Sequence, residues 1–174
     1  MADVPVLDRP THAQLLAQLE LLLEQREPLL TQMANMSALL YWSLPDVNWV
    51  GVYLLRGDTL HLGPFHGKPA CTGIPVGSGV CGTAVSEGRT QHVPDVHTFP
   101  GHIACDTASR AEVVVPLVDG SGRCWGVLDA DSPVPDRFTF DDVRFFEQVA
   151  ALLRRRHETA GGMIFPLDNS GSMP

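Results

Sequence analysis

The cysteines are the side chains of this sequence that are best suited to chemistry, and Cys105 has the most informative surroundings. It lies in a polar loop directly before the apolar segment 113–118, with Ile103 and Ala104 on one side and Asp106 on the other. Reactive groups often lie in loops that a rigid sheet holds in place. A thiol at the boundary between apolar packing and solvent can also be both shielded and reached. Because a free cysteine is often a buried structural residue, Cys105 alone leaves both interpretations open.

Composition limits the class of protein. The chain has 174 residues, 44% of them hydrophobic, and a formal net charge of -8. This predicts one domain with a sizeable core, and the acidic balance argues against binding to nucleic acid or to an anionic membrane. Residues 1–5 lack the basic and apolar segments of a signal peptide, and no apolar run is long enough to span a bilayer, so we expect a cytoplasmic protein. In that setting four cysteines are better explained as free, metal-binding or redox-active thiols than as a disulfide framework.

Two pairs of side chains lie an even number of residues apart on predicted strands, so each pair faces one side of the sheet. The first pair is Asp129 and Asp131, and the second is Trp49 and Tyr53. Two carboxylates facing one pocket raise at least one pKa. A carboxyl that stays protonated can donate a proton, while an ionised neighbour can bind an ammonium group. The alternatives are turn capping or metal ligation for the aspartates and core packing for the aromatic rings.

Helical and strand patterns predict the elements that must position these groups. Apolar spacing predicts a helix from Thr11 and a second helix from about Pro28, the latter with Trp42 on its apolar stripe. Residues 139–142 form a predicted capping box for a last helix that runs to about Arg156. Strands are predicted at 49–55, 59–62, 71–74, 113–118 and 124–131, with a short helix near 83–87 and the last two strands central in the sheet.

This order of elements predicts an α+β fold in a single domain. An antiparallel sheet is expected to have helices packed on one face and functional loops on the other. Residues 1–10 are predicted to form an N-terminal arm, residues 11–158 the domain, and residues 159–174 a C-terminal tail.

Several segments resemble a GAF domain and, more specifically, the free methionine-(R)-sulfoxide reductases among GAF proteins. The likeness covers roughly residues 11–156, and three cysteines lie in matched contexts. The segments that carry it are Asn48–Leu55, Gly63–Phe65, Gly67–Cys71, Gly79–Ala84, Val93–His97, Phe99–Asp106 and Gly126–Ser132.

The resemblance implies an oxidoreductase of oxidative-stress repair that reduces free methionine (R)-sulfoxide to methionine with thiols. It implies that Cys105 is the nucleophilic thiolate and that Cys71 resolves the resulting sulfenic acid, giving a Cys71–Cys105 disulfide. Cys81 also matches the family pattern and is an alternative partner for the disulfide. Cys124 has no counterpart in the pattern, and its place beside Trp125 on a predicted strand favours plain packing.

The same resemblance assigns the remaining site residues. Glu112, Asp129 and Asp131 are expected to supply the proton and to bind the ammonium group of the substrate. Trp49 and Tyr53 are expected to line the methyl end of the substrate. The family further implies thioredoxin as the reductant and a homodimer, and we expect no cofactor and no bound metal.

The sequence departs from the family pattern at two places. Arg110-Ala111 stands in place of small polar residues and His66 in place of glutamine, and either departure can alter loop order or substrate affinity.

Two alternative functions remain. One is a non-catalytic GAF module that binds a small ligand or senses redox state. The other is a metal site drawn from His66, His97, His102 and the cysteines, although their spacing lacks a CxxC or HxxxH signature.

Overall fold

The computed structural model describes residues 9–23, 27–101 and 107–164, and six strands within them form one sheet. The strands are β1 (Trp49–Arg56), β2 (Thr59–Gly67), β3 (Gly73–Pro75), β4 (Gln91–Val93), β5 (Ala111–Val118) and β6 (Cys124–Ser132). Their order across the sheet is β3-β2-β1-β6-β5-β4, and every neighbouring pair is antiparallel. Most of the predicted N-terminal arm and C-terminal tail, residues 1–8 and 165–174, lies outside the described residues.

Four helices within the described residues flank this sheet. They are α1 (His12–Leu23), α2 (Leu29–Ser43), α3 (Gly79–Glu87) and α4 (Phe140–Thr159), and a short 3-10 helix spans Val96–Thr98. α1, α2 and α4 share one apolar core with the sheet, whereas α3 packs against a separate cluster. Over the three described ranges, none of the helices is long and apolar enough to cross a membrane.

Strand alternation divides the apolar side chains between the two faces of the sheet. One face, covered by α1, α2 and α4, is built from aliphatic side chains such as Val50, Val113 and Leu128. The other, here called the α3 face, carries a second buried cluster that includes Trp49, Tyr53, Val80, Cys81, Ala84, Val114 and Val127. Three helices therefore cover one face, whereas the α3 face carries one short helix and is left for the site.

The predicted capping box of the last helix is confirmed. The Thr139 side chain accepts a hydrogen bond from the Asp142 N–H, and the Asp142 carboxylate accepts one from the Thr139 N–H at 2.8 Å. The same carboxylate lies 3.1 Å from Arg137 and 3.2 Å from His12. Asp142 therefore completes the cap of α4 and also links α4 to α1.

Two placements in the predicted fold are wrong, and the strand β4 was not predicted. Trp42 was placed on the apolar stripe of α2, but its side chain is 76% exposed. Buried Leu40 defines that stripe, and two residues along a helix turn a side chain by about 200°, to the opposite side. The predicted central pair was β5 and β6, whereas β1 and β6 are central. β5 lies one position from the edge because only the short β4 lies beyond it.

Candidate active site

The first turn of α3 delivers the Cys81 thiol to the α3 face of the sheet. The helix begins at Gly79, earlier than the sequence pattern predicts, so Cys81 is helical and only 4% exposed. Gly82 permits this close packing, because a Cβ atom there would lie 2.3 Å from the carbonyl oxygen of Pro75. The approach of α3 to the sheet therefore buries Cys81.

Two buried carboxyls from neighbouring strands contact this thiol. Asp129 of β6 is 5% exposed and Glu112 of β5 is 6% exposed. The Cys81 thiol donates to Asp129 Oδ2 at 3.4 Å and lies 3.9 Å from Glu112 Oε1. Asp129 pairs directly with Val114 across the two strands. Glu112 lies two residues before Val114, so it is the diagonal neighbour of Asp129 on the same face. The structure thus places the Cys81 thiol beside two of the predicted acidic site residues.

Burial dominates the electrostatics of this cluster. It raises the pKa of Asp129 from 3.8 to about 7, against the lowering effect of the hydrogen bond from Cys81. Burial also raises the pKa of Glu112, and the charges of Asp129 and Asp131 raise it further. The pKa of the Cys81 thiol is raised by burial and then by the two carboxylates. The cluster therefore retains protons at higher pH than ordinary carboxyls do, and it can donate them.

Asp131 lies on the same face, two residues along β6 from Asp129. It is half-buried and pairs in register with Trp49 of β1 and Glu112 of β5. The predicted raised pKa of an aspartate is found at Asp129, but burial causes it there, not the charge of Asp131. A carboxylate nearer to solvent, beside carboxyls that retain protons, suits the binding of an ammonium group.

Trp49 and Tyr53 form an aromatic wall beside the carboxyls. Their rings are stacked with centroids 5.8 Å apart, and both side chains are buried. The indole lies against Gly51, where a Cβ atom would be only 2.4 Å from the ring. The Trp49 indole donates to the Lys68 carbonyl at 3.2 Å, and the Tyr53 hydroxyl donates to the Cys71 carbonyl at 3.1 Å. These bonds fix the rings and attach the loop after β2 to them.

The cysteines differ in bonding state and surroundings. Cys71 is disulfide-bonded, whereas Cys81 and Cys124 are free thiols. Cys105, the predicted nucleophile, lies outside the described residues. Cys124 is half-buried, and its thiol makes a local contact of 3.2 Å with the Gly126 carbonyl, in keeping with a packing role.

The alternative metal site based on histidines is not assembled among the described residues. His66 packs against aromatic rings of α2, and His97 contacts an aspartate in its own loop. His102 lies outside the described residues. Within the described residues, potential metal ligands do lie close together on the α3 face. They are Cys81, Glu112 and Asp129, and their ligand atoms lie within 4.8 Å of one another.

Arg110 has a contact that the sequence analysis did not foresee. Its Nη2 donates to Asp95 Oδ2 at 3.1 Å, and the same aspartate accepts from the His97 N–H. These hydrogen bonds, first from Arg110 and then from His97, hold the pKa of Asp95 well below its usual range. Asp95 precedes Cys105 in the chain and Arg110 follows it, so the ion pair joins the two flanks of the segment that contains the predicted nucleophile. Only the unusual Arg110-Ala111 pair signalled this role in the sequence.

Comparison with known proteins gives the family of this chain. The GAF domain family model matches residues 29–156. The chain is 56% identical over 126 residues to free methionine-R-sulfoxide reductase of Escherichia coli (strain K12), a match that covers 72% of this chain and 76% of that protein. The chain belongs to the free methionine-R-sulfoxide reductase family. This confirms the family resemblance predicted from the sequence motifs.

Solved structures of the reductase family share the fold. The free methionine-R-sulfoxide reductase from Neisseria meningitidis, in complex with its substrate, superposes with a TM-score of 0.83 at 41% identity, covering 86% of this chain and 90% of that one. The reduced form of fRMsr of Staphylococcus aureus gives 0.80 at 48% identity, covering 84% and 96%. The predicted single-domain α+β fold of the GAF type is therefore confirmed.

Proposed function

We propose that this protein reduces free L-methionine (R)-S-oxide to L-methionine by means of a cysteine thiolate. The name of the Escherichia coli relative and the substrate complex of the Neisseria meningitidis structure support this reaction. The observation in this chain that carries the proposal is the buried cluster on the α3 face, where proton donors lie beside an apolar wall. The residues concerned are Cys81, Glu112, Asp129, Trp49 and Tyr53.

The reaction transfers one oxygen atom and two electrons in its first step. The Cys105 thiolate attacks the sulfoxide sulfur, the sulfur–oxygen bond breaks, and a proton and the oxygen end on the cysteine as a sulfenic acid while methionine leaves. The methionine sulfur is reduced by two electrons and the cysteine sulfur is oxidised by two. A second thiol then attacks the sulfenic sulfur, a disulfide forms, and the oxygen leaves as water. A dithiol reductant, thioredoxin, returns the enzyme to its starting state.

The carboxyls divide the remaining work in this proposal. Glu112 or Asp129 supplies the proton to the sulfoxide oxygen, because burial raises the pKa of both groups. Asp131 holds the ammonium group of the substrate. Trp49 and Tyr53 line its methyl end. Recognition of the ammonium group favours the free amino acid over a residue that follows a peptide bond, since the nitrogen of such a residue is an uncharged amide.

Cys71 is the resolving thiol in this proposal and pairs with Cys105. Its support is that Cys71 is disulfide-bonded, whereas Cys81 and Cys124 are free. The hydrogen bond from the Tyr53 hydroxyl to the Cys71 carbonyl also holds this segment at the edge of the aromatic wall. Cys81, whose thiol is buried among carboxyls, is the alternative resolving thiol.

Three further parts of the proposal do not depend on the site. The family implies that the reductant is thioredoxin and that the protein is a homodimer, and the sequence features given above lead us to place it in the cytoplasm. No nucleic acid or membrane takes part.

A substrate panel tests the reaction. Reduced protein is incubated separately with free methionine (R)-sulfoxide, free methionine (S)-sulfoxide and a blocked peptide sulfoxide, and the sulfide formed is measured. We expect rapid reduction of the free (R)-sulfoxide only. A module that merely binds a ligand would reduce none of them, and equal rates on all three would reject recognition of the free amino acid.

Thiol mapping tests the assignment of the cysteines. Wild-type protein exposed to substrate without reductant should lose two thiols and contain a Cys71–Cys105 disulfide by peptide mapping. Cys124→Ser is the matched control and should behave like the wild type. A dominant Cys81–Cys105 disulfide would make Cys81 the resolving thiol, and an unchanged thiol count would reject the redox mechanism.

A further inference from the structure

The thiol and carboxyls on the α3 face have the spacing of metal ligands. Cys81 Sγ lies 3.4 Å from Asp129 Oδ2 and 3.9 Å from Glu112 Oε1. In a tetrahedral zinc site, bonds of about 2.3 Å to sulfur and about 2.1 Å to oxygen place a sulfur and an oxygen ligand about 3.6 Å apart. The two observed distances lie on either side of that value. The three side chains could therefore coordinate one ion after small rotations.

The Asp129 carboxyl provides a second, independent indication of a ligand. The side chain is 5% exposed, and its Oδ1 atom is buried with no hydrogen-bond partner among the described residues. A buried polar atom without a partner costs free energy. A cation bound between Asp129, Glu112 and Cys81 would satisfy this oxygen.

The chemistry of the cluster also favours a cation. Three groups that become anions when they lose a proton, one thiol and two carboxyls, share one buried space on the α3 face. A divalent cation takes the place of those protons and offsets the negative charges. One thiolate with two carboxylates suits Zn²⁺ or Cd²⁺, whereas Mg²⁺ and Ca²⁺ prefer sites made only of oxygen ligands.

We propose that Cys81, Glu112 and Asp129 bind one thiophilic divalent cation such as Zn²⁺. Three protein ligands leave the fourth tetrahedral position open to water or to another small ligand. A bound cation occupies the carboxyls that would otherwise donate protons. Zinc is therefore a reversible inhibitor of any chemistry that uses this cluster.

Cadmium titration tests the thiol ligand directly. The titration uses full-length Cys71→Ser/Cys105→Ser protein, in which Cys81 and Cys124 are the only thiols left. We expect about one Cd²⁺ per chain, with an ultraviolet thiolate-to-cadmium absorption band. Adding Cys81→Ser should remove the band, and the matched addition of Cys124→Ser should leave it unchanged.

The carboxyl ligands are tested in the same background with Asp129→Asn and Glu112→Gln. Loss of a residue that only supports a metal ligand weakens metal binding by roughly 10- to 100-fold, so loss of a ligand itself should weaken Cd²⁺ binding by at least that much. Circular dichroism verifies the fold of each variant. A band that survives Cys81→Ser, or an affinity unchanged in both carboxyl variants, would overturn the proposal. The titration does not measure sulfoxide reduction, so its outcome is independent of the proposed enzymatic function.

Discussion

Replacement of Asp129 by asparagine should stabilise the fold at neutral and higher pH while it impairs catalysis. The Asp129 side chain is 5% exposed, and burial raises its pKa from 3.8 to about 7. Between these two values the native protein holds a proton that the unfolded chain has released. The free energy of unfolding of the wild type therefore falls as the pH rises through this window. Asparagine does not ionise, so the variant avoids this loss.

The size of the effect follows from the shift in pKa. A change from 3.8 to about 7, at about 1.4 kcal/mol per pKa unit, corresponds to about 4 kcal/mol once the pH exceeds the native pKa. The amide oxygen of asparagine can still accept the hydrogen bond from the Cys81 thiol, which spans 3.4 Å in the wild type. The chemical step, in contrast, should slow by roughly 10²-fold or more, because a general acid contributes about that much.

Urea unfolding between about pH 4 and about pH 8, in buffer that contains a metal chelator, measures this difference. The stability of Asp129→Asn relative to wild type should rise across the range by about 4 kcal/mol. Asp58→Asn, in the exposed turn between β1 and β2, is the matched control and should follow the wild-type profile. A relative stability of Asp129→Asn that stays constant to within about 1 kcal/mol would refute the burial argument.

Four further variants test other parts of the structure. Cys105→Ser should abolish steady-state turnover because a hydroxyl does not supply a thiolate near neutral pH, and a rate within about tenfold of wild type would place the nucleophile elsewhere. Cys71→Ser should convert about one substrate per enzyme in a single turnover yet fail in multiple turnovers with thioredoxin, whereas a normal multiple-turnover rate would remove its resolving role. Gly51→Ala places a Cβ atom 2.4 Å from the Trp49 ring, so it should raise KM more than it lowers kcat and should shift the tryptophan fluorescence. An unchanged KM together with an unchanged fluorescence would contradict the proposal that Trp49 lines the substrate site. Thr139→Ala should lower the free energy of unfolding by about 1 kcal/mol in urea through loss of the α4 cap, and a loss of activity in folded protein would show that its role extends beyond the cap.

Local patterns in the sequence determined which side chains share a face and where some elements begin. The even spacing of Trp49 and Tyr53, and of Asp129 and Asp131, depends only on the alternation of side chains along a strand. The α4 capping box likewise involves residues three apart, so it could be read directly from the sequence. The same kind of reasoning misplaced Trp42, because an apolar residue near the end of a helix need not belong to its buried stripe.

Only the tertiary structure decided that Cys81 contacts the carboxyls. It is separated by 31 residues from Glu112 and by 48 from Asp129, and the contact exists because α3 packs over β5 and β6. The pKa of Asp129 also depends on the whole fold, since exclusion of water is its largest cause and many segments contribute to that exclusion. Alternation along a strand is set by neighbours in the chain, whereas burial and long-range contact exist only after the helices have packed on the sheet.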